Sequence, residues 1–320
     1  MKMCLILCDT LRADRVKPWI MPEVHALAMS GVDYRMFWGD GGTTKDSLPF
    51  FLCGERDFKA SNSFPAYLQK AEEYTRIIHS NAVIPSYGYD KGFLDVNDLG
   101  MERTPVKETI RRTLRNSGVW AKTRPLRQAL RGGAPVELPY KRAEFITRMA
   151  SDALDIIESG FIWVQLMDPH IPYDPPGITK MERLEGKRLY DKIIKWVRDP
   201  LVTFTELERE RLEYFYNLEC SYMDGEIGKL TSRHPDTVFI VTSDHGDAFG
   251  LNYTFSHCPG YMGMVPGLGH LPFIVNGPGV RETTLDNYNA SNNVGTTILQ
   301  AFGIDQRIGY GRSFWPEVVV

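Results

Sequence analysis

Residues 3–9 read MCLILCD, six apolar side chains in a row closed by a carboxylate. The pattern recurs at residues 161–168, FIWVQLMD, and at residues 237–244, TVFIVTSD, the last followed by His245. Runs that are apolar at consecutive positions, not alternate ones, mark strands covered on both faces. Met3–Cys8, Phe161–Met167 and Thr237–Thr242 are therefore read as strands. Between them the apolar rhythm changes to every third or fourth residue, which predicts helices over 21–30, 63–73, 142–158 and 206–230, with Pro22 suited to an early helical position. Strands alternating with helices predict an α/β fold: a single α/β/α sandwich with a mainly parallel central sheet. A smaller C-terminal subdomain is expected from about residue 260.

The composition removes several classes of protein. The 320 residues hold 37 Lys+Arg against 40 Asp+Glu, a formal net charge of −3, and are 43% hydrophobic, far too apolar for a disordered chain. No apolar run approaches the ~18 residues of a membrane span. The opening run stops at Cys8 and gives way to charge, which predicts a strand that starts at once, no leader, and a cytoplasmic protein. The five cysteines are odd in number and scattered, so they are read as buried thiols, not a disulfide framework. Cys4 and Cys8 would stand roughly 13 Å apart along one strand, beyond bonding reach.

Residues 101–150 stand apart, with twelve Lys/Arg against four Glu, a local balance of +8. Thr104-Pro105 reads as a helix cap and first turn, and Gly132, Gly133 and Pro135 as a loop. Residues 102–140 are read as a basic excursion from the domain. It is either a solvated face or a rim, continuing to about 142, that attracts a polyanionic partner. With only Trp120 and Tyr140 within it, nucleic acid ranks low among such partners.

Ligands of parallel sheets bind beyond the carboxyl ends of the strands. Asp9, Asp168 and Asp244 all fall there. Any one of them could simply cap a turn. Three together, with His170 two residues after Asp168 and His245 directly after Asp244, point to a divalent metal held by carboxylates and imidazole.

These residues also carry a family resemblance. Asp9-Thr10-Leu11-Arg12-Ala13-Asp14, Asp168-Pro169-His170-Ile171-Pro172-Tyr173 and Ser243-Asp244-His245-Gly246 resemble, in order, the opening, central and second metal motifs of the sulfatase-like branch of the alkaline phosphatase superfamily. Gly88–Phe93, Leu271–Gly279 and Gly311–Phe314 are similar to further elements of it, so the resemblance runs over nearly the whole chain. The basic excursion has no counterpart.

In that family a helix begins at a Cys or Ser nucleophile followed by Pro and Arg, in a stretch ending Leu-Thr-Gly. Here the stretch is Thr44-Lys45-Asp46-Ser47-Leu48-Pro49-Phe50-Phe51-Leu52-Cys53-Gly54, and counting back from Gly54 puts Thr44 at the nucleophile. Thr43 takes that place if the register shifts by one, with Ser47 third. Threonine cannot become formylglycine, and Asp46 and Leu48 replace the Pro and Arg. Threonine resembles the nucleophile of the related phosphodiesterases and phosphoethanolamine or glycerophosphate transferases.

The resemblance therefore implies a metal-dependent hydrolase of phosphate esters, of phosphodiesterase or phosphotransferase type, with a small anionic ester as substrate. The ester would pass through a phosphorylated Thr44. The metal would be one divalent ion, Mn²⁺ or Zn²⁺ ahead of Ca²⁺, bound by Asp9, Thr44, Asp244 and His245. His170 and His257 would bind the non-bridging oxygens and protonate the leaving oxygen. A looser second ion is an alternative role for Asp168, His170 and His257. Arg12 and Asp14 are expected to pair beneath the site. His79 and Asn81 lie near it after an apolar run; His25, His234 and His270 are read as structural. The alternatives are a sulfatase working without formylglycine and an inactive, metal-stabilised binding protein.

Overall fold

The structure, a computed structural model, describes residues 1–100, 138–250, 254–257 and 265–320. Its strands are β1 (Lys2–Cys8), β2 (Val32–Tyr34), β3 (Phe37–Trp38), β4 (Thr75–His79), β5 (Asp95–Asp98), β6 (Gly160–Leu166), β7 (Thr237–Thr242), β8 (Phe273–Asn276), β9 (Thr283–Leu285) and β10 (Asn289–Ala290). The main helices are α1 (Pro22–Met29), α2 (Thr44–Cys53), α3 (Phe64–Lys70), α4 (Val83–Tyr87), α5 (Ala143–Ile156), α6 (Lys180–Arg198) and α7 (Glu206–Arg233).

Among the described residues, eight strands form one sheet in the order β5-β4-β6-β1-β7-β8-β2-β9. The first five run parallel, and β8 is antiparallel to both of its neighbours. The C-terminal stretch, expected as a smaller subdomain, supplies β8 and β9 to this sheet, and β10 pairs with β3 in a separate two-stranded ribbon.

The side chains of β1 explain why its sequence is apolar at every position. Cys4, Ile6 and Cys8 join a core with α1, α5, α6 and α7, while Met3, Leu5 and Leu7 join a second core with α2, α3 and helix Val294–Ala301. Every residue of β6 and β7 is likewise buried. The fold is thus the expected α/β/α sandwich, and its central strands β1, β6 and β7, screened from water on both sides, open to solvent only at their ends. Cys4, Cys8, Cys53 and Cys220 are free and buried.

The sequence-predicted helices are present with slightly moved ends. The sequence reading did not single out α6, a mostly polar helix whose buried stripe is Leu189, Ile193 and Trp196. Its start is nevertheless written locally, in the reciprocal capping box of Thr179 and Glu182. The expected cap at Thr104-Pro105, the loop at Gly132, Gly133 and Pro135, and nearly all of the basic excursion lie outside the described residues. No helix among the described residues is long and apolar enough to cross a membrane.

One buried carboxylate joins distant parts of the chain. Helix α1 has no side-chain cap of its own. Instead Asp224 of α7 accepts the backbone N–H groups of Glu23 at 3.0 Å and Val24 at 2.8 Å. Removing it leaves two donors of the first turn without their acceptor. The Asp224→Ala variant is expected to lose about 1–3 kcal/mol of stability, read as a lower urea midpoint at unchanged slope. An unchanged midpoint would show that solvent satisfies these donors.

Candidate active site

The pairing register brings the strand ends abreast. Cys8 lies opposite Leu166 and Leu7 opposite Thr242, so Asp9 and Asp244 leave adjacent strands at one edge of the sheet. Thr10 turns the chain away sharply at φ 64° and donates its N–H to Asp244 Oδ1 at 3.3 Å.

Helix α2 arrives from the other direction. Thr43 is its N-cap: the Thr43 hydroxyl accepts from Asp46 N and donates to Asp46 Oδ2 at 2.9 Å. That engagement turns the Thr43 side chain to the cap and leaves Thr44, the first helical residue, facing the strand ends. The loop before it runs close to the first turn, where a Cβ on Gly41 would stand 2.6 Å from Ser47 N and Ser47 Oγ. Ser47 therefore lies beneath that loop.

At the centre, Thr44 Oγ1 donates to Asp9 Oδ2 at 3.1 Å and stands 3.5 Å from His245 Nε2. His245 Nε2 lies 3.7 Å from Asp9 Oδ1 and 3.6 Å from Asp244 Oδ2. Both carboxylates and the imidazole are wholly buried. Among the described residues, Asp9 Oδ1 and Asp244 Oδ2 have no hydrogen-bond partner. Burial, and then the charge of Asp244, raise the Asp9 carboxyl to about 8, against the opposing pull of His245, Thr44 and Asn81. Burial pulls the His245 imidazolium down, but Asp244 and Asp9 outweigh it and its pKa rises.

Two orphaned carboxylate oxygens stand 3.7 and 3.6 Å from one imidazole nitrogen, and Asp9, Asp244 and His245 each bring a ligand atom within 4.8 Å of the others, which fits a divalent cation. Nδ1 of His245 lies 2.9 Å from Gly246 O, which orients the ring so that Nε2 faces the carboxylates.

His170 and His257 complete a group of three rings. The His257 centroid is 4.7 Å from that of His245 and 4.9 Å from that of His170. Burial holds the His170 imidazolium down at about 4, and burial, with the charges of His245 and His170, holds that of His257 well below its ordinary value, so both rings are neutral near pH 7.

Asp168 does not join them. Its oxygens are taken by Arg142 Nη1 at 3.2 Å and Ala143 N at 2.8 Å, at the start of α5. In this structure the charge of Asp168 is met by Arg142, which also binds Glu219 at 2.8 Å and the Asp174 carbonyl; a part for Asp168 in a second ion site stays a proposal. Arg12 pairs with Asp14 at 2.7 Å beneath the site, as expected, and also reaches Asp247 O. His234 meets Ser151 at 2.8 Å, and His270 meets Arg35 O and stacks on Trp38, away from the centre.

The sulfatase family profile matches residues 4–304. The chain belongs to the sulfatase family. Arylsulfatase K of Danio rerio is 32% identical over 156 residues, 46% of this chain but only 29% of that protein. The chain thus spans under a third of that curated relative. In fold it is similar to the phosphonate monoester hydrolase of Silicibacter pomeroyi (TM-score 0.67, 18% identity, covering 98% of this chain and 76% of that one). It is likewise similar to the soluble domain of lipooligosaccharide phosphoethanolamine transferase A from Neisseria meningitidis (TM-score 0.63, 14% identity, 97% and 89%). These likenesses show the fold alone.

Two site residues of this sulfatase-family chain carry weak signals in the sequence. Asn81 follows β4 at the same sheet edge and donates to Asp9 Oδ2 at 2.9 Å. Gln165 reaches the same oxygen at 3.5 Å from within β6. A lone amide in the otherwise apolar run FIWVQLM is a signal of a buried polar contact.

The uncompensated carboxylates give a prediction with opposite signs. Chelators should lower the Tm of the wild type. In Asp244→Asn the bound metal should fall below one-tenth of an equivalent, while the metal-free Tm rises above that of chelated wild type because the like-charge contact is gone. Calorimetry with elemental analysis reads both. A metal-free Tm that falls on this substitution would show that the two carboxylates are not in conflict.

Proposed function

We propose that the chain is a divalent-metal-dependent hydrolase of phosphorus esters in which the Thr44 hydroxyl is the nucleophile and becomes transiently phosphorylated. The single observation that carries this reading is the position of Thr44 Oγ1, 3.1 Å from Asp9 Oδ2 and 3.5 Å from His245 Nε2, beside the two orphaned carboxylate oxygens. A divalent cation bound by Asp9, Asp244 and His245 supplies positive charge that favours the ionised hydroxyl and neutralises the ester oxygens.

The chain's own groups account for the rest. Thr44 starts α2, so the positive end of that helix faces the hydroxyl as it loses its proton. Asp9 Oδ2, which already accepts the Thr44 hydrogen bond, is the acceptor nearest that proton. Thr44 Oγ1 then bonds to phosphorus as the ester oxygen leaves on the opposite side. His170, whose Nδ1–H is held by Ile171 O, and His257 stand beside His245; an imidazole that takes up a proton as the anionic ester binds donates N–H to the non-bridging oxygens and, as imidazolium, protonates the departing oxygen. Water attacks phosphorus in the second half, releasing phosphate or a phosphate monoester and restoring the hydroxyl.

The arylsulfatase relative favours a second reading, turnover of sulfate esters. Against it stands the side chain at position 44. Oxidation of threonine at Cβ gives a ketone, not the aldehyde of formylglycine, so sulfate would have to be cleaved by the plain alcohol.

Aryl phosphate monoesters, phosphodiesters, phosphonates and sulfates, tested as a panel with Mn²⁺ or Zn²⁺, separate the two. A phosphorus ester is expected to be turned over best, and Thr44→Ala to reduce kcat/KM about 10³-fold or more while retaining metal. Rapid quenching should give a phosphorylated peptide containing Thr44. Wild-type turnover by Thr44→Ala, or sulfate hydrolysed ahead of every phosphorus ester, would overturn the proposal.

A further inference from the structure

The two oxygens of Asp9 are treated in opposite ways. Oδ2 receives the amide of Asn81 at 2.9 Å, the hydroxyl of Thr44 at 3.1 Å and the amide of Gln165 at 3.5 Å. Oδ1 receives no hydrogen bond from any described residue.

The network itself fixes which way the two amides point. A backbone N–H can only donate, and Val83 N approaches Asn81 Oδ1 at 2.8 Å, so Nδ2 of Asn81 must face Asp9. The indole N–H of Trp163 can only donate, and it approaches Gln165 Oε1 at 3.2 Å, so Nε2 of Gln165 must face Asp9 as well. Both side chains are buried, where an amide without partners would be costly. Neither orientation can flip without orphaning two groups at once.

We infer that Asn81, seconded by Gln165, is a positioning residue that fixes Asp9 as a one-oxygen metal ligand, holding Oδ2 so that Oδ1 alone is presented to the Asp244–His245 side. This rests on the metal-centre reading above. It goes beyond that reading by assigning a role to two residues whose contact with Asp9 is to Oδ2 and not to the unpartnered oxygen. Without the amides, Asp9 is free to turn about its χ2 and to offer either oxygen, or both. The same hold ties the metal centre to β4 and β6, on the opposite side of β1 from Asp244 and His245.

The test compares Mn²⁺ affinity, by competition with a chelator, in metal-stripped wild type, Asn81→Ala and Gln165→Met, together with the rise in Tm that saturating Mn²⁺ produces in each. Asn81→Ala is expected to bind Mn²⁺ about 10- to 100-fold more weakly, with a smaller metal-induced rise in Tm. Gln165→Met, which loses the longer contact, is expected to lose a smaller factor in the same direction. A residue that merely supports the fold would lower Tm equally with and without Mn²⁺ and leave the affinity alone. Affinity within twofold of wild type in Asn81→Ala overturns the inference. If that variant does not fold, unchanged affinity in Gln165→Met does so. Wild type that binds no stoichiometric Mn²⁺ would instead overturn the metal-centre reading itself, and the inference with it.

Discussion

Two buried carboxylates, Asp9 and Asp244, leave adjacent central strands, each with one oxygen that has no hydrogen-bond partner among the described residues. In a medium of low effective dielectric such a contact is repulsive, and each oxygen has also given up its hydration. A protein keeps a contact of this kind where a cation resolves it. Much of the local architecture serves to bring it about. The strands run parallel, so their acidic ends coincide. Thr10 adopts a positive φ so that the chain clears the site, and Gly41 lets the approaching loop lie flat on the first turn of α2. The two-sided apolar core explains why the chemistry is confined to this edge.

How far the sequence discloses this depends on the range of the interaction concerned. The strands β1, β6 and β7 are legible because burial on both faces leaves no room for polar residues, and the carboxylates at their ends are legible as the first polar groups to follow. Thr44 is legible only to within a residue. Its distinction from Thr43 lies in cap geometry: one hydroxyl turns to Asp46 and the other to Asp9. Asp168 carries the same strand-end signal as Asp9 and Asp244, yet it serves the buried network of Arg142 and Glu219, whose members are 77 residues apart. No local pattern separates those two fates. Asn81 obeys the strand-end rule too, at β4, but an amide attracts less notice there than an acid.

Solved structures that share this sandwich are named for different chemistries, a phosphonate monoester hydrolase and a phosphoethanolamine transferase among them, and fold alone does not choose among them. The choice rests on a few atoms: which side chain begins α2, and what surrounds it. The proposed displacement at phosphorus would use the secondary alcohol at that point, the two imidazoles of the same site and the pair of buried carboxylates behind it. The amides of Asn81 and Gln165 add a further layer, since they determine which oxygen of Asp9 faces that centre.

The most direct test is anomalous diffraction from crystals grown with Mn²⁺. The account predicts one strong peak at ~2.0–2.3 Å from Asp9 Oδ1, Asp244 Oδ2 and His245 Nε2, with Thr44 Oγ1 turned towards it. Density for no ion there, or an ion bound elsewhere while the two carboxylates stay in contact, would contradict it.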